Sequence, residues 1–282
     1  MYATALIALD FTAAEGPLPD WLGDLRAMGV RRAILVHVVR PGYGQGAGYG
    51  HEEALRDWLS RRAEGLRAAG LEVAVDIRTA GDVAGDLVAA AAQHGAELIV
   101  IGSRGQSLLR GLFLGSTARA LLRQSPLPVL LEWLEPEGEG ARGAGQGPQR
   151  IVLGTDFSYE SQAAEAAAVA LAATGASVEV VHVQIPDGRA IYARWPEMAR
   201  VALAHIADDI RAAGGRAAIH QPDGKPAEEI ARLAAAQDSD LIIVGKHGQN
   251  RLQSMVIGST AAHLCEIARR PVLMVPSPQR EG

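Results

Sequence analysis

The chain has 282 residues, enough for two domains of ordinary size, and 48% of them are apolar, enough for a sizeable core. A formal net charge of −5, with both signs mixed along the chain, excludes a dedicated basic surface for nucleic acid. The single cysteine, Cys265, excludes a disulfide framework, and no apolar run approaches the ~20 residues that a membrane helix needs.

"MYATALIALD" lacks a basic stretch leading into an apolar run and a cleavage site, so the expectation is a soluble cytoplasmic protein with no membrane and no nucleic-acid partner. "ALIALDFT" reads as a strand ending in Asp10. Pro17 and Pro19 interrupt the next stretch, which leaves room for a short helix from about Asp20. Ala33–Val39 is a second apolar strand carrying His37, and the glycine-rich Pro41–Gly50 comes after it as a loop. "HEEALRDWLSRRAEGLRAAG" sets Leu55, Leu59 and Leu66 on one helical face with Gly70 as its stop. "LEVAVDIR" is a strand, "DVAGDLVAAAAQHG" a helix ending at Gly95, and "ELIVIG" a strand apolar on both faces, as in a covered parallel sheet. "STARALLRQSP" and "PVLLEW" are the last helix and strand.

"EPEGEGARGAGQGPQ" (135–149) has five glycines and no apolar periodicity, and reads as a flexible linker. Beyond it the same series returns. "IVLGTDFS" is a strand ending in Asp156, a long Ala-rich helix comes next, and Val178–Gln184 is a strand carrying His182. "GKPAEEIARLAAAQ" is a helix with Pro226 early and Glu228 and Glu229 in its first turn, as the macrodipole prefers. The Asp-to-His spacing is 27 residues in the first half and 26 in the second; from His to the next strand-end glycine it is 65 and 63. The chain is therefore a domain duplicated at a period of roughly 143–146 residues, far longer than a solenoid repeat, with a parallel doubly wound sheet in each half. The expected domains are 1–134 and 150–282, joined by the linker 135–149.

The chemistry concentrates in one repeated pattern. "GSRGQSLLRGLFLGST" and "GKHGQNRLQSMVIGST" both read Gly, two residues, Gly, nine residues, Gly-Ser-Thr. Gly102 and Gly245 come directly after a buried strand, where open parallel sheets bind their ligands. Gly105 and Gly248 allow a close backbone approach or positive φ. Gly115-Ser116-Thr117 and Gly258-Ser259-Thr260 open a helix whose N-terminus attracts anions. Arg104 in one half, and Lys246 and His247 in the other, bring positive charge. Asp10 and Asp156 lie at the same sheet edge, where a carboxylate can accept ribose hydroxyls. A phosphate cradle beside a ribose acceptor points to a nucleotide. A strand-to-helix turn with an ordinary cap would account for one copy alone, but not for two with identical internal spacing.

Other motifs fail. "DGKPAEE" puts proline where a P-loop needs a hydroxyl, and no G-x-G-x-x-G comes after the first strand of either half. The eight histidines show no metal-ligand spacing, so no metal site is expected. His37 and His182, inside apolar strands, read as satisfied core histidines, and Cys265 as a buried helix thiol. No nucleophile–base pair stands out, so no catalytic residue is assigned.

The motif after a buried strand, with an aspartate ending strand one, resembles the ATP-binding universal stress proteins, and the likeness covers both halves. The resemblance implies a tandem member with two Rossmann-like α/β domains of the adenine nucleotide alpha hydrolase-like kind. Each would hold a five-stranded parallel sheet of order 3-2-1-4-5 flanked by helices. "PVLLEW" and "PVLMVP" would pair antiparallel in an internal pseudo-dimer, and a further homodimer is compatible with this. The resemblance places the base at the backbone of Val38 and Val183, the ribose at Asp10 and Asp156, and Ile101 and Val244 against the adenosine. It places the phosphates at Gly102, Gly105, Gly115, Ser116 and Thr117, and at Gly245, Gly248, Gly258, Ser259 and Thr260. The ligand would be ATP with Mg²⁺, regulatory and slowly hydrolysed at most, in a stress-response protein. Leu9 departs from the family pattern where Thr155 fits it, so the C-terminal site is expected to be the better one. The rival readings are a slow ATPase or adenylating ligase of the same superfamily, and a dimerisation module with vestigial sites.

Overall fold

The computed structural model describes residues 1–10, 25–39, 50–79, 81–103, 114–133, 147–185, 194–248 and 257–277. The chain divides into two compact units, Met1–Gly147 and Pro148–Gly282. The expected linker falls largely outside the described residues, as do the short helix expected after Asp10 and the glycine-rich loop 41–49.

In the first unit the strands are β1 (Thr4–Ala8), β2 (Arg32–Val39), β3 (Glu72–Thr79), β4 (Leu98–Gly102) and β5 (Val129–Glu132). All pairs are parallel, in the order β3-β2-β1-β4-β5. The helices are α1 (Gly50–Ala68), α2 (Val83–His94) and α3 (Ser116–Gln124). Leu55, Leu59 and Leu66 of α1 are buried, and each contributes roughly 1.5–3 kcal/mol by leaving water. The chain leaves α1 through Gly70 at φ +85° and α2 through Gly95 at φ +63°, both left-handed stops.

The second unit repeats the plan with β6 (Arg150–Gly154), β7 (Ser177–Val181), β8 (Arg216–His220), β9 (Leu241–Gly245) and β10 (Val272–Val275), in the order β8-β7-β6-β9-β10 and again parallel. Its helices are α4 (Gln162–Ala172), α5 (Trp195–Ala212), α6 (Pro226–Ala236) and α7 (Ser259–Ile267). Central strands β6 and β9 are buried along nearly their whole length, because α4 packs on one side and α6 on the other. At the base of each unit an acidic side chain fixes the start of the first strand. Glu97 accepts the backbone N–H of Ala3 at 2.5 Å, and Asp240 accepts that of Arg150 at 2.8 Å.

Several element ends differ from expectation. β1 and β6 stop two residues short of their aspartates, at Ala8 and Gly154. The last bonds that tie their ends to the neighbouring strands are Leu9 N–H to Val36 O at 2.9 Å and Thr155 N–H to Val181 O at 3.0 Å. Each aspartate therefore lies just past the end of its strand, at the carboxyl edge of the sheet. β7 ends at Val181, so His182 lies beyond the strand and not inside it, although its N–H still reaches His220 O at 3.1 Å. The segment after Asp156 opens on a 3₁₀ turn, Tyr159–Ser161, and its helix spans only Gln162–Ala172. Among the described residues no helix is long and apolar enough to cross a membrane.

Candidate functional site

The carboxyl edge of the second unit collects its candidate residues from strand ends and one helix start. β9 delivers Val244, 4% exposed, and Gly245. A Cβ on Gly245 would lie 3.0 Å from His247 O and 3.2 Å from Glu160 O, so the chain turns there closely against the 3₁₀ segment and a side chain would press on its backbone. The Lys246 carbonyl accepts the N–H of Gly258 at 2.8 Å, and the Lys246 N–H donates to Val275 O at 2.6 Å. Those two bonds close the loop at its base and bring the start of α7 beside the end of β9. Gly258 is the extended N-cap of α7 and carries no capping side chain, while Ser259 is exposed at the first turn. The first unit closes in the same way: the Ser103 carbonyl accepts the N–H of Gly115 at 2.8 Å, and the Ser103 N–H donates to Glu132 O at 2.7 Å. The duplicated spacing thus corresponds to a duplicated closure.

Of the two uses open to Gly248, positive φ and close approach, the structure shows the second. Its φ is not positive, and it lies directly against Oδ2 of Asp156. The other oxygen, Oδ1, accepts the Ser158 backbone N–H at 3.1 Å and the Ser158 hydroxyl at 2.6 Å. The residue before the aspartate is held on both sides. Thr155 O accepts from His182 Nδ1 at 3.0 Å, and Thr155 Oγ1 donates to Glu165 Oε1 at 2.5 Å while accepting the Phe157 N–H at 3.0 Å. Ser161 Oγ lies 3.0 Å from the same Glu165 oxygen. Phe157 adopts φ +60°, unusual for a non-glycine, and its ring packs on His182 at 4.5 Å between centroids, tilted by 31°. Trp195 meets the same imidazole edge-on at 6.2 Å.

Burial dominates the electrostatics. It holds the His182 imidazole below its ordinary range, against the opposing pull of the Thr155 carbonyl and the Asp156 charge. It also pushes Lys246, 4% exposed, down to about 8. The sequence offers Lys246 as a source of positive charge for a ligand; in the structure its side chain is enclosed instead.

The structure brings Asp156, Val183, Val244, Gly245, His247, Gly248, Gly258, Ser259 and Thr260 to one edge of the second unit. In the first unit Asp10, Val38, Ile101, Gly102, Gly115, Ser116 and Thr117 occupy the matching edge, with Asp10 exposed. Arg104 and Gly105 lie outside the described residues. The residues that sequence reasoning misses are Ser158, Ser161 and Glu165. Asp-x-Ser is a local turn signal that points to the first of these. The bond from His182 to Thr155, 27 residues away, gives the buried imidazole its partner, as a satisfied core histidine needs, and that partner stands at the site.

Comparison with known proteins identifies the family. The model of the universal stress protein family matches residues 1–131 and again 148–276. A universal stress protein of Mycolicibacterium smegmatis is 29% identical over 216 residues, 73% of this chain and 69% of that one. A universal stress protein of Thermus aquaticus is 32% identical over 136 residues, 46% of this chain and 98% of its own length. The crystal structure of a universal stress protein from Archaeoglobus fulgidus superposes with a TM-score of 0.74 at 22% identity, covering 98% of this chain and 99% of that one, which shows the common fold. The chain belongs to the universal stress protein family, and it carries the family's domain twice.

Proposed function

We propose that the protein binds ATP, with Mg²⁺, at the carboxyl edge of one or both units, as a regulatory ligand in a cytoplasmic stress response. The observation that carries this reading is the contact between Gly248 and the Asp156 carboxylate. It sets a hydrogen-bond acceptor of the kind a ribose needs beside a loop that leads to a helix N-terminus, which is the kind of place a phosphate needs. In this reading Asp156 takes the ribose hydroxyls, the Val183 backbone faces the base and Val244 lines the adenosine. Gly245, His247, Gly248, Gly258, Ser259 and Thr260 surround the phosphates; in the first unit Asp10 would take the ribose, Val38 the base and Ile101 the adenosine, with Gly102, Arg104, Gly105, Gly115, Ser116 and Thr117 for the phosphates. Bound Mg²⁺ would neutralise phosphate charge. The reading assigns no side chain as general base, so hydrolysis would be slow at most.

The test is the nucleotide content of freshly purified protein, released by acid and identified by mass spectrometry in moles per chain. Two moles of ATP or ADP per chain is the expected result for paired working sites, and one for a filled C-terminal site alone. None, even after incubation with Mg-ATP, overturns the reading in favour of a module whose sites are vestigial.

A further inference from the structure

We propose that His182 is a positioning residue for nucleotide selectivity: its imidazole ties the segment that would face the base to the carbonyl just before the carboxylate that would face the ribose. The inference rests on the nucleotide reading above and goes beyond it.

β6 and β7 run side by side as far as Gly154 and Val181. The bond from Thr155 N–H to Val181 O ends their ladder, and the chains toward Asp156 and Val183 separate. The His182 side chain spans the gap: its Nδ1 lies 3.0 Å from Thr155 O. A carbonyl only accepts, so Nδ1 carries the proton and donates. Phe157 covers the ring at 4.5 Å and Trp195 abuts it at 6.2 Å, which fixes the plane in which the donor points. Asp156 is the next residue along the chain, so a shift of the Thr155 carbonyl moves the carboxylate with it.

The first unit builds the same link from different surroundings. His37 Nδ1 lies 2.8 Å from Leu9 O, the carbonyl just before Asp10. Leu9 has no hydroxyl to offer a second clamp like the one Thr155 makes with Glu165. The bond from the imidazole to the carbonyl before the aspartate is thus shared by the two halves where their local side chains differ. A histidine needed only to fill core space would not have to find the same acceptor twice, 28 residues away in one half and 27 in the other.

A purely structural histidine and a positioning one differ in what their loss does. Structural loss lowers stability and weakens all nucleotides alike. Positioning loss removes selectivity for the ribose hydroxyls. The experiment uses the full chain in an Asp10→Asn background, so that ribose recognition reports on the C-terminal site. His182→Leu removes the donor, and His182→Asn restores an N–H near the Nδ1 position. Dissociation constants are measured by calorimetry for ATP and for 2′,3′-dideoxy-ATP. Hydrogen exchange at the amides of residues 156–158 is followed in nucleotide-free protein. The parent is expected to prefer ATP by about tenfold or more, the worth of one hydrogen bond to a charged acceptor. His182→Leu is expected to lose most of that preference and to exchange faster at 156–158; His182→Asn keeps both close to the parent. Unchanged preference and unchanged exchange in His182→Leu would overturn the proposal. A parent that binds neither nucleotide defeats the nucleotide reading, and one that binds both alike overturns the ribose role of Asp156 and this proposal with it; in either case the exchange of residues 156–158 still decides whether His182 holds the loop.

Discussion

Gly248 rests directly on the carboxylate of Asp156, and a Cβ at that position would overlap Oδ2. Two segments 92 residues apart in sequence thereby become one surface, with the loop after β9 pressed on the turn after β6. The close approach, and not an unusual φ, is what demands glycine here.

Gly248→Ala is therefore expected to displace the Asp156 side chain, which can rotate away, while leaving the fold nearly intact. Nucleotide affinity at the C-terminal site should fall about tenfold or more, as for loss of a hydrogen bond to a charged group, with the melting temperature within roughly 4 °C of the parent. Gly81→Ala is the control: it stands outside the proposed site and an added Cβ would meet nothing within 4 Å, so affinity should be unchanged. Calorimetric titration of the two variants with Mg-ATP checks this; equal losses would remove Asp156 from the account.

His182 makes stability depend on pH. Burial holds its folded-state pKa below the ordinary 6.5, outweighing the nearby Asp156 charge that acts the other way. As pH falls, the unfolded chain takes up the proton first, so the stability from neutral His182 is complete above about 6.5 and is lost as pH falls through that value toward the lower folded pKa. Denaturant unfolding of the parent and of His182→Asn between pH 7.5 and 5 should show their difference shrinking toward acid. A constant difference would mean that His182 does not titrate differently in the two states.

The frame of each unit was legible because its signals are local. Leu98–Ile101 and Leu241–Val244 are unbroken apolar runs, and both form strands covered on both faces. Gly70 and Gly95 stop helices where only a left-handed residue fits. The features that escape a sequence reading depend on partners far away along the chain. β7 ends before His182, since ladder bonds stop where β6 turns away, and no pattern within β7 announces that. The Thr155–Glu165 bond joins a loop to a helix turn ten residues on. Lys246 is buried to 4% exposure just past the end of β9, and apolar periodicity says nothing about a charged side chain outside a helix or strand.

Phe157 was no more foreseeable, because φ +60° favours glycine or asparagine. Its left-handed backbone is strained by about 1–2 kcal/mol, offset in part by a ring contact with His182 of about 0.5–1.5 kcal/mol. Phe157→Ala keeps the strain and discards the ring; Phe157→Gly discards both. The glycine variant should therefore be the more stable of the two by about 1 kcal/mol in chemical denaturation. An alanine variant as stable as the glycine one would show that the left-handed backbone is not kept.

The two units differ most in how they hold the aspartate. In the second, Thr155 Oγ1 accepts the Phe157 N–H and donates to Glu165, while Ser161 supports the same carboxylate. In the first, Leu9 stands before Asp10 and Pro19 stands nine residues after it, at the spacing that separates Glu165 from Asp156. Thr155→Val leaves the Phe157 N–H without its acceptor and removes one of the two hydroxyls that meet the Glu165 oxygen, so a loss of about 1–3 kcal/mol in stability is expected. Affinity at the C-terminal site should fall with it. Leu9→Thr should gain no comparable stability, because the sequence supplies no carboxylate at that spacing for the new hydroxyl to meet. Unfolding free energies of both variants, with nucleotide titrations of each, test the asymmetry together. If Leu9→Thr raises stability as much as Thr155→Val lowers it, the hydroxyl alone organises the aspartate, and the Glu165 carboxylate is dispensable.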